Sequence, residues 1–162
     1  MRRRCSRSRR TFSSCLKIDR YHYLHHRYKI FNMKQGSVTL PNGENLHYLE
    51  WLPQEKGKAP TLLFIHGNFS DSQWWLDTAD SFQYLNRHLV AIDLRGFGLS
   101  TYNNKCQRFC DWASDVREFC KMLGIDKCIA NGWSFGGGIT MKLAEMAPEL
   151  VTKMILTCSV SH

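Results

Sequence analysis

Residues 130–138, which read Ala-Asn-Gly-Trp-Ser-Phe-Gly-Gly-Gly, decide the fold. Within them Gly132, Ser134 and Gly136 fit the pattern G-x-S-x-G, which places a serine on a sharp turn between a strand and a helix. The glycines on either side let two backbones approach where a Cβ would clash. A chance match occurs roughly one time in twenty at this length, so the neighbouring elements decide what the pattern means.

The segments that flank this turn have the required character. Cys128–Ala130 is a short apolar run of the kind that forms a buried strand. After the turn, Ile139, Leu143 and Ala144 share one helical face, and Pro148 ends the pattern. The context therefore favours a serine nucleophile over an ordinary serine at a helix N-terminus.

Strand and helix signals alternate along the rest of the chain. An antiparallel hairpin is predicted around the turn residues 41–43, and helices are predicted over 75–85 and 109–123. The further predicted strands are Thr61–Ile65, Leu89–Ile92 and Met154–Leu156. This order predicts an α/β fold, with a mostly parallel, doubly wound sheet and an N-terminal antiparallel hairpin.

Two upstream motifs stand at the ends of predicted strands. His66-Gly67-Asn68 follows the predicted strand Thr61–Ile65, and Asp93–Ser100 follows the predicted strand Leu89–Ile92. Together with residues 132–138, they make residues 36–160 resemble the α/β-hydrolase superfamily, in particular its esterase-like branch. The fold that the resemblance implies is the one predicted above, present here in its N-terminal portion.

The resemblance implies a role for each matching residue. Ser134 would be the nucleophile, Gly132 and Gly136 the glycines of its elbow, and the backbone N–H groups of Asn68 and Phe135 the oxyanion hole. The substrate would be a small carboxylic ester or similar acyl compound, and no metal or cofactor is expected. A serine argues against branches that use aspartate here, such as epoxide hydrolases. His66 and Asp93–Ser100 would shape loops and transfer no proton.

The acid and the histidine of the catalytic triad are harder to assign than the serine. In this superfamily an acid and then a histidine follow the nucleophile, but here the last acid is Glu149 and the only later histidine is His162. We therefore expect residues 33–162 to form an incomplete hydrolase domain, from a fragment or a truncated gene model, with little activity. His162 is the candidate base, with Asp93 as a conceivable partner. The alternative is a non-catalytic hydrolase-like remnant that binds a ligand or partner.

Charge separates residues 1–32 from the remainder. Ten of the 22 Lys and Arg residues lie there with one of the 14 acids, which leaves 12 basic and 13 acidic side chains in residues 33–162. The folded domain is thus not expected to bind nucleic acid. Residues 1–32 are predicted to be a disordered Arg/Ser-rich extension of a cytoplasmic protein. A mitochondrial transit segment and an RNA-contacting tail are the alternatives.

Membrane and metal signals are weak. No apolar run approaches the length that crosses a bilayer, so no transmembrane segment is expected. The seven cysteines are irregularly spaced, and Cys106 and Cys110 form the only close pair, without a second pair to complete a metal site. We interpret all seven as reduced thiols. The oligomeric state is left open.

Overall fold

The computed structural model describes residues 33–54, 57 and 59–160. The N-terminal extension 1–32 and the candidate base His162 lie outside the described residues. The strands are β1 (Met33–Thr39), β2 (Asn45–Trp51), β3 (Thr61–Ile65), β4 (Leu89–Ile92), β5 (Cys128–Trp133) and β6 (Val151–Thr157). The helices are α1 (Leu76–Phe82), α2 (Phe109–Met122) and α3 (Phe135–Met146), with 3₁₀ turns at Ser72–Trp75 and Gln83–Leu85.

The strands form one sheet in the order β1-β2-β4-β3-β5-β6. The pairs β1–β2 and β2–β4 are antiparallel, and the other three pairs are parallel. This confirms the predicted fold class, including the N-terminal hairpin. Since the carboxyl ends of parallel strands meet at one edge, the segments that follow β3, β4 and β5 lie close together.

Helices cover both faces of the sheet. Alternate residues of β3 point to opposite sides, and this explains why the strand is apolar throughout. Leu63 and Ile65 pack with α2 and α3. On the other face, Leu62 and Phe64 pack with α1 and the first 3₁₀ turn, where the ring of Trp75 stacks on Phe64 at 5.0 Å.

The helix predicted over 75–85 is shorter than expected. Only Leu76–Phe82 is α-helical, and a 3₁₀ turn flanks it on each side. The first turn is fixed by two carboxylates. Asp71 accepts a hydrogen bond from the Gln73 N–H, and Asp93 accepts one from the Ser72 N–H at 2.6 Å. At the other end Asn86 has a φ of 45°, which lies outside the range of a right-handed helix, so the helical backbone ends before this residue.

A buried ion-pair network lies under the connection between β4 and α2. The Arg95 guanidinium binds both oxygens of the Asp115 carboxylate, through Nε at 2.6 Å and through Nη2. Glu44 lies 3.9 Å from the same Nε and accepts hydrogen bonds from the backbone of Asn103 and Asn104. Burial alone would raise the pKa of Glu44, but the hydrogen bonds that it accepts outweigh burial and hold the pKa below its ordinary value.

None of the helices in the described ranges is both long enough and apolar enough to span a membrane. The five cysteines at described positions, Cys106, Cys110, Cys120, Cys128 and Cys158, are free thiols.

Strand β6 is an exposed edge of the sheet. It pairs with β5 on one side, and no other described strand pairs with its second side. Met154, Ile155 and Leu156 are 46%, 44% and 42% exposed. An apolar strand with unpaired backbone groups is a template for pairing with another chain.

We therefore expect concentration-dependent association through β6. Ile155→Lys should raise the concentration at which association is half complete roughly tenfold, equivalent to about 1.4 kcal/mol. Sedimentation velocity measures this midpoint. Leu99→Lys is the control, because it charges an apolar side chain in a loop that is 69% exposed, against 44% for Ile155. Equal midpoints for the two variants would contradict association through this edge.

Candidate active site

Ser134 lies between β5 and α3 in a rarely populated backbone conformation. Its φ of 52° and ψ of −116° match the first central residue of a type II′ turn, a position that glycine usually occupies. Such a conformation costs about 1–3 kcal/mol and persists only where the surroundings impose it. Here the Ser134 N–H donates to the carbonyl of Thr157, and the Ser134 carbonyl accepts from the N–H groups of Gly137 and Val160.

The motif needs glycine at positions 132 and 136 because neither position has space for a Cβ. A Cβ on Gly132 would lie 2.4 Å from Thr140 Oγ1 and 2.5 Å from the Gly136 carbonyl oxygen. A Cβ on Gly136 would lie 2.3 Å from the carbonyl oxygen of Ile65 at the end of β3. The start of α3 can therefore pack directly on the carboxyl ends of β3 and β5.

The segment after β3 runs past Ser134. A Cβ placed on Gly67 would lie 3.3 Å from the Ser134 Cβ, so the two backbones are close neighbours. Asn68 and Phe69 follow, both exposed, and the Asn68 side chain accepts a hydrogen bond from the Phe69 N–H. Among the described residues, no hydrogen-bond acceptor is found for the backbone N–H of Asn68 or of Phe135.

His66 is fully buried and holds β3 and β4 together. Its Nε2 accepts a hydrogen bond from the Leu94 N–H at 3.0 Å, so its Nδ1 carries the proton and donates to the Gly67 carbonyl at 2.7 Å. This arrangement requires the neutral imidazole, and burial lowers the pKa of His66 from its ordinary value of 6.5. The geometry fits the predicted loop-shaping role.

The pH dependence of stability should report this buried imidazole. The unfolded chain takes up a proton near pH 6.5, whereas folded His66 takes it up only at lower pH. This group therefore leaves stability unchanged above about pH 6.5 and lowers it by up to about 1.4 kcal/mol per pH unit as the pH falls below that value. Urea midpoints for wild type and His66→Gln measure it. The variant should be less stable at pH 7.5 but lose less on acidification; equal losses would contradict the assignment.

Asp93 is a structural anchor beside the site. Its carboxylate accepts hydrogen bonds from the N–H groups of Ser72 and Leu99 and from Nδ1 of His47 at 2.8 Å. It lies at the carboxyl end of β4 and ties together β2, the first 3₁₀ turn and the loop that follows β4. With these donors in place, Asp93 is occupied in holding the loops, and no described contact joins it to Ser134.

A base for the serine is not found among the described residues. The Ser134 hydroxyl makes no hydrogen bond there, and the described histidines are all bonded elsewhere. His47 is bonded to Asp93, His66 to Gly67 and Leu94, and His88 to Glu50 and Thr61. The described part of the chain also holds no cluster of three or more His, Cys, Asp or Glu side chains that could bind a metal ion.

Aromatic side chains lie on one side of Ser134. Trp133 stacks on Trp74 with the ring centroids 4.4 Å apart and the planes 6° from parallel. Trp74 is 56% exposed, whereas its neighbour Trp75 is buried. The apolar helical spacing that predicts the helix over 75–85 includes Trp75 and not Trp74, and Trp75 is the one whose ring stacks on Phe64 of β3.

The comparisons with known proteins agree with this architecture. A model of the alpha/beta hydrolase fold matches residues 60–162. The chain therefore belongs to the alpha/beta hydrolase family.

Three relatives illustrate the range of the family. Epoxide hydrolase 1 of Caenorhabditis elegans is 33% identical over 112 residues, which make up 68% of this chain and 27% of that protein. The pimeloyl-[acyl-carrier protein] methyl ester esterase of Vibrio campbellii is 31% identical over 119 residues, 71% of this chain and 41% of the esterase. The crystal structure of a bacterial membrane phospholipase A superposes with a TM-score of 0.73 at 31% identity, covering 80% of this chain and 41% of the other. The chain thus spans less than half the length of these relatives.

Proposed function

We propose that the chain carries the nucleophile of a serine hydrolase that acts on a carboxylic ester or a similar small acyl compound. The observation that carries the proposal is the strained turn at Ser134, because backbone strain of this kind clusters at active sites. A serine at this position favours the esterase-like branch over the epoxide hydrolases, although both kinds of relative resemble the chain.

The proposed chemistry follows the two steps of acyl transfer. Ser134 Oγ attacks the substrate carbonyl carbon, the bond to the alcohol breaks, and the alcohol leaves with the serine proton. Water then cleaves the acyl-enzyme, which releases the acid and restores the hydroxyl. In both steps, negative charge on the carbonyl oxygen is stabilised by the N–H groups of Asn68 and Phe135.

The proposed mechanism requires a general base for Ser134. An unassisted serine is a poor nucleophile, and loss of the histidine from a serine hydrolase lowers kcat by about 10⁶. His162 is the proposed base, and it lies outside the described residues. Because no described histidine bonds to Ser134, the second candidate function is a non-catalytic hydrolase-like protein that binds a ligand at this site.

Labelling with a fluorophosphonate probe separates the two functions. We expect the full chain to be labelled on Ser134 and Ser134→Ala to lose the label completely, because the probe forms its bond with an activated serine oxygen. Ser37→Ala, which removes an exposed hydroxyl from β1, should be labelled like wild type. An unlabelled wild type, or a label that survives in Ser134→Ala, would favour the non-catalytic function.

A further inference from the structure

The ring of Phe135 lies among aromatic side chains from two other segments. Its centroid is 5.0 Å from that of Trp112 and 5.2 Å from that of Phe109, both on α2, and 6.3 Å from that of Phe97 in the loop after β4. The planes of the Trp112 and Phe135 rings are 85° apart, which is the edge-to-face arrangement that aromatic pairs favour. All four rings also pack against the core between the sheet and the helices α2 and α3.

The Trp112 indole is itself fixed at a second point. Its Nε1–H donates to the carbonyl of Arg95 at 3.1 Å. The Arg95 guanidinium is bonded to Asp115, which lies about one helical turn beyond Trp112 on α2. Arg95 is therefore joined to α2 twice, by its carbonyl and by its side chain. The indole cannot turn away from Phe135 without losing this hydrogen bond, and an unpaired N–H in a half-buried place costs free energy.

The backbone N–H of Phe135 needs an orientation that its own hydrogen bonds do not supply. Phe135 is the first residue of α3, so its N–H has no acceptor within the helix, and the described part of the chain offers no other. The preceding residue, Ser134, is in a strained conformation, so the backbone here gains by relaxing. The side chain and the N–H of Phe135 are attached to the same residue. A ring held by packing therefore restricts rotation of the peptide group between Ser134 and Phe135.

We propose that Trp112 is a positioning residue of the Ser134 site, which holds the Phe135 ring so that the Phe135 N–H stays directed at the substrate oxyanion. The inference rests on the proposed function, because it assigns a support to one of the two proposed oxyanion donors. Among the contacts of the described residues, none joins Trp112 to Ser134, so Trp112 acts through Phe135. An oxyanion donor works only within a few tenths of an ångström of hydrogen-bond distance, so a small rotation of the peptide group matters.

NMR relaxation of the full chain tests this role without any reaction. We expect the Phe135 N–H of wild type to have an order parameter of about 0.85, the value of rigid backbone, and that of Trp112→Leu to fall toward about 0.6. Leucine keeps apolar bulk, but it has no ring edge and cannot donate to the Arg95 carbonyl. Trp112→Phe, which keeps a ring, should lie between the two. Ser134→Ala should match wild type, because the packing of the rings does not use the hydroxyl.

Trp51→Phe is the matched control for a general loss of stability. Trp51 is 1% exposed, and its indole N–H also donates a hydrogen bond, to Asp80 Oδ1 at 3.1 Å. It pairs with Leu89 at the amino end of β4, whereas Phe135 lies beyond the carboxyl end of β5. The variant should lower the urea midpoint and leave the order parameter of the Phe135 N–H unchanged.

The kinetics of fluorophosphonate labelling test the same residue during bond formation. Ser134 Oγ bonds to phosphorus, fluoride leaves with the serine proton, and the phosphoryl oxygen takes up charge that the Phe135 N–H would stabilise. Loss of a whole donor costs about 10²–10³-fold, so a displaced donor in Trp112→Leu should lower the rate constant at saturating probe roughly 10-fold. Trp112→Phe should lose about 3-fold, and Trp51→Phe should match wild type. The probe concentration that gives half the maximal rate should be unchanged, because Trp112 takes no part in binding.

The outcomes separate this inference from the proposed catalysis. An unchanged Phe135 order parameter in Trp112→Leu, or a fall of the same size in Trp51→Phe, would overturn the positioning role even if Ser134 is labelled. A labelled protein whose rate constant is the same in Trp112→Leu as in wild type would overturn it too. A fall confined to the Trp112 variants supports the role even if wild type is not labelled, and that failure would count against the serine chemistry alone.

Discussion

Replacing Arg95 by methionine is expected to lower the free energy of unfolding by about 3–5 kcal/mol, measured by urea denaturation. The side chains of Arg95, Asp115 and Glu44 are only 6%, 2% and 0% exposed. Methionine removes the Arg95 cation, which balances the two buried carboxylates of Glu44 and Asp115. Taking one partner out of a buried ion pair costs more than the pair contributes, because the remaining charge stays buried without compensation.

The matched control is a surface ion pair. Arg117 lies 3.4 Å from Glu118, with side chains 44% and 29% exposed. Arg117→Met should change the free energy of unfolding by less than about 1 kcal/mol, because water already screens this pair. The loss of unfolding free energy for Arg95→Lys should lie between those for Arg95→Met and Arg117→Met. Lysine keeps the charge but cannot bind both oxygens of Asp115. A cost for Arg95→Met no greater than that for Arg117→Met would contradict the role of the network.

Gly136→Ala is expected to be the most damaging small substitution near the site. The new Cβ would lie 2.3 Å from the Ile65 carbonyl oxygen and 2.5 Å from that of His66. Both oxygens belong to the backbone in the middle of the sheet, so neither can move alone. We expect a loss of about 1–3 kcal/mol in urea denaturation, although alanine is the better helix former by about 1 kcal/mol.

The effect should extend to chemistry as well as stability. To relieve the clash, the start of α3 must move away from β3, and Ser134 and the Phe135 N–H move with it. Gly57→Ala is the control, because the nearest atom to its Cβ would be 3.9 Å away; it should be close to neutral and labelled like wild type. A Gly136→Ala variant with unchanged stability and labelling would show that this contact is not tight.

The fold could be predicted from sequence because its signals are local. Thr61–Ile65 and Leu89–Ile92 are apolar runs of strand length, and the structure has both strands with these bounds. The end of β5 was less clear, since Asn131, Gly132 and Trp133 carry no strand signal of their own. They extend the strand because β6 pairs with all three, and β3 pairs with Asn131 and Gly132 on the other side.

The buried charges could not be predicted in the same way. Glu44, Arg95 and Asp115 are distant in the sequence, and nothing near any of them distinguishes a buried charge from a solvated one. They meet only because the β1–β2 turn, the end of β4 and α2 converge at one place. The stacking of Trp74 on Trp133 could not be predicted either, because the two residues are distant in the sequence and meet only in the folded sheet.

The two hydrogen bonds that fix the Ser134 backbone from outside its own turn come from Thr157 and Val160, at the end of β6 and just beyond it. Proteins emerge from the ribosome N-terminus first. While β6 is still inside the exit tunnel, the strands that precede it can pair, but the serine turn lacks the partners that oppose its strain. We therefore expect a nascent chain to acquire the strained turn of its proposed nucleophile only once β6 has emerged, so that substrates meet no reactive hydroxyl on chains that still lack this strand.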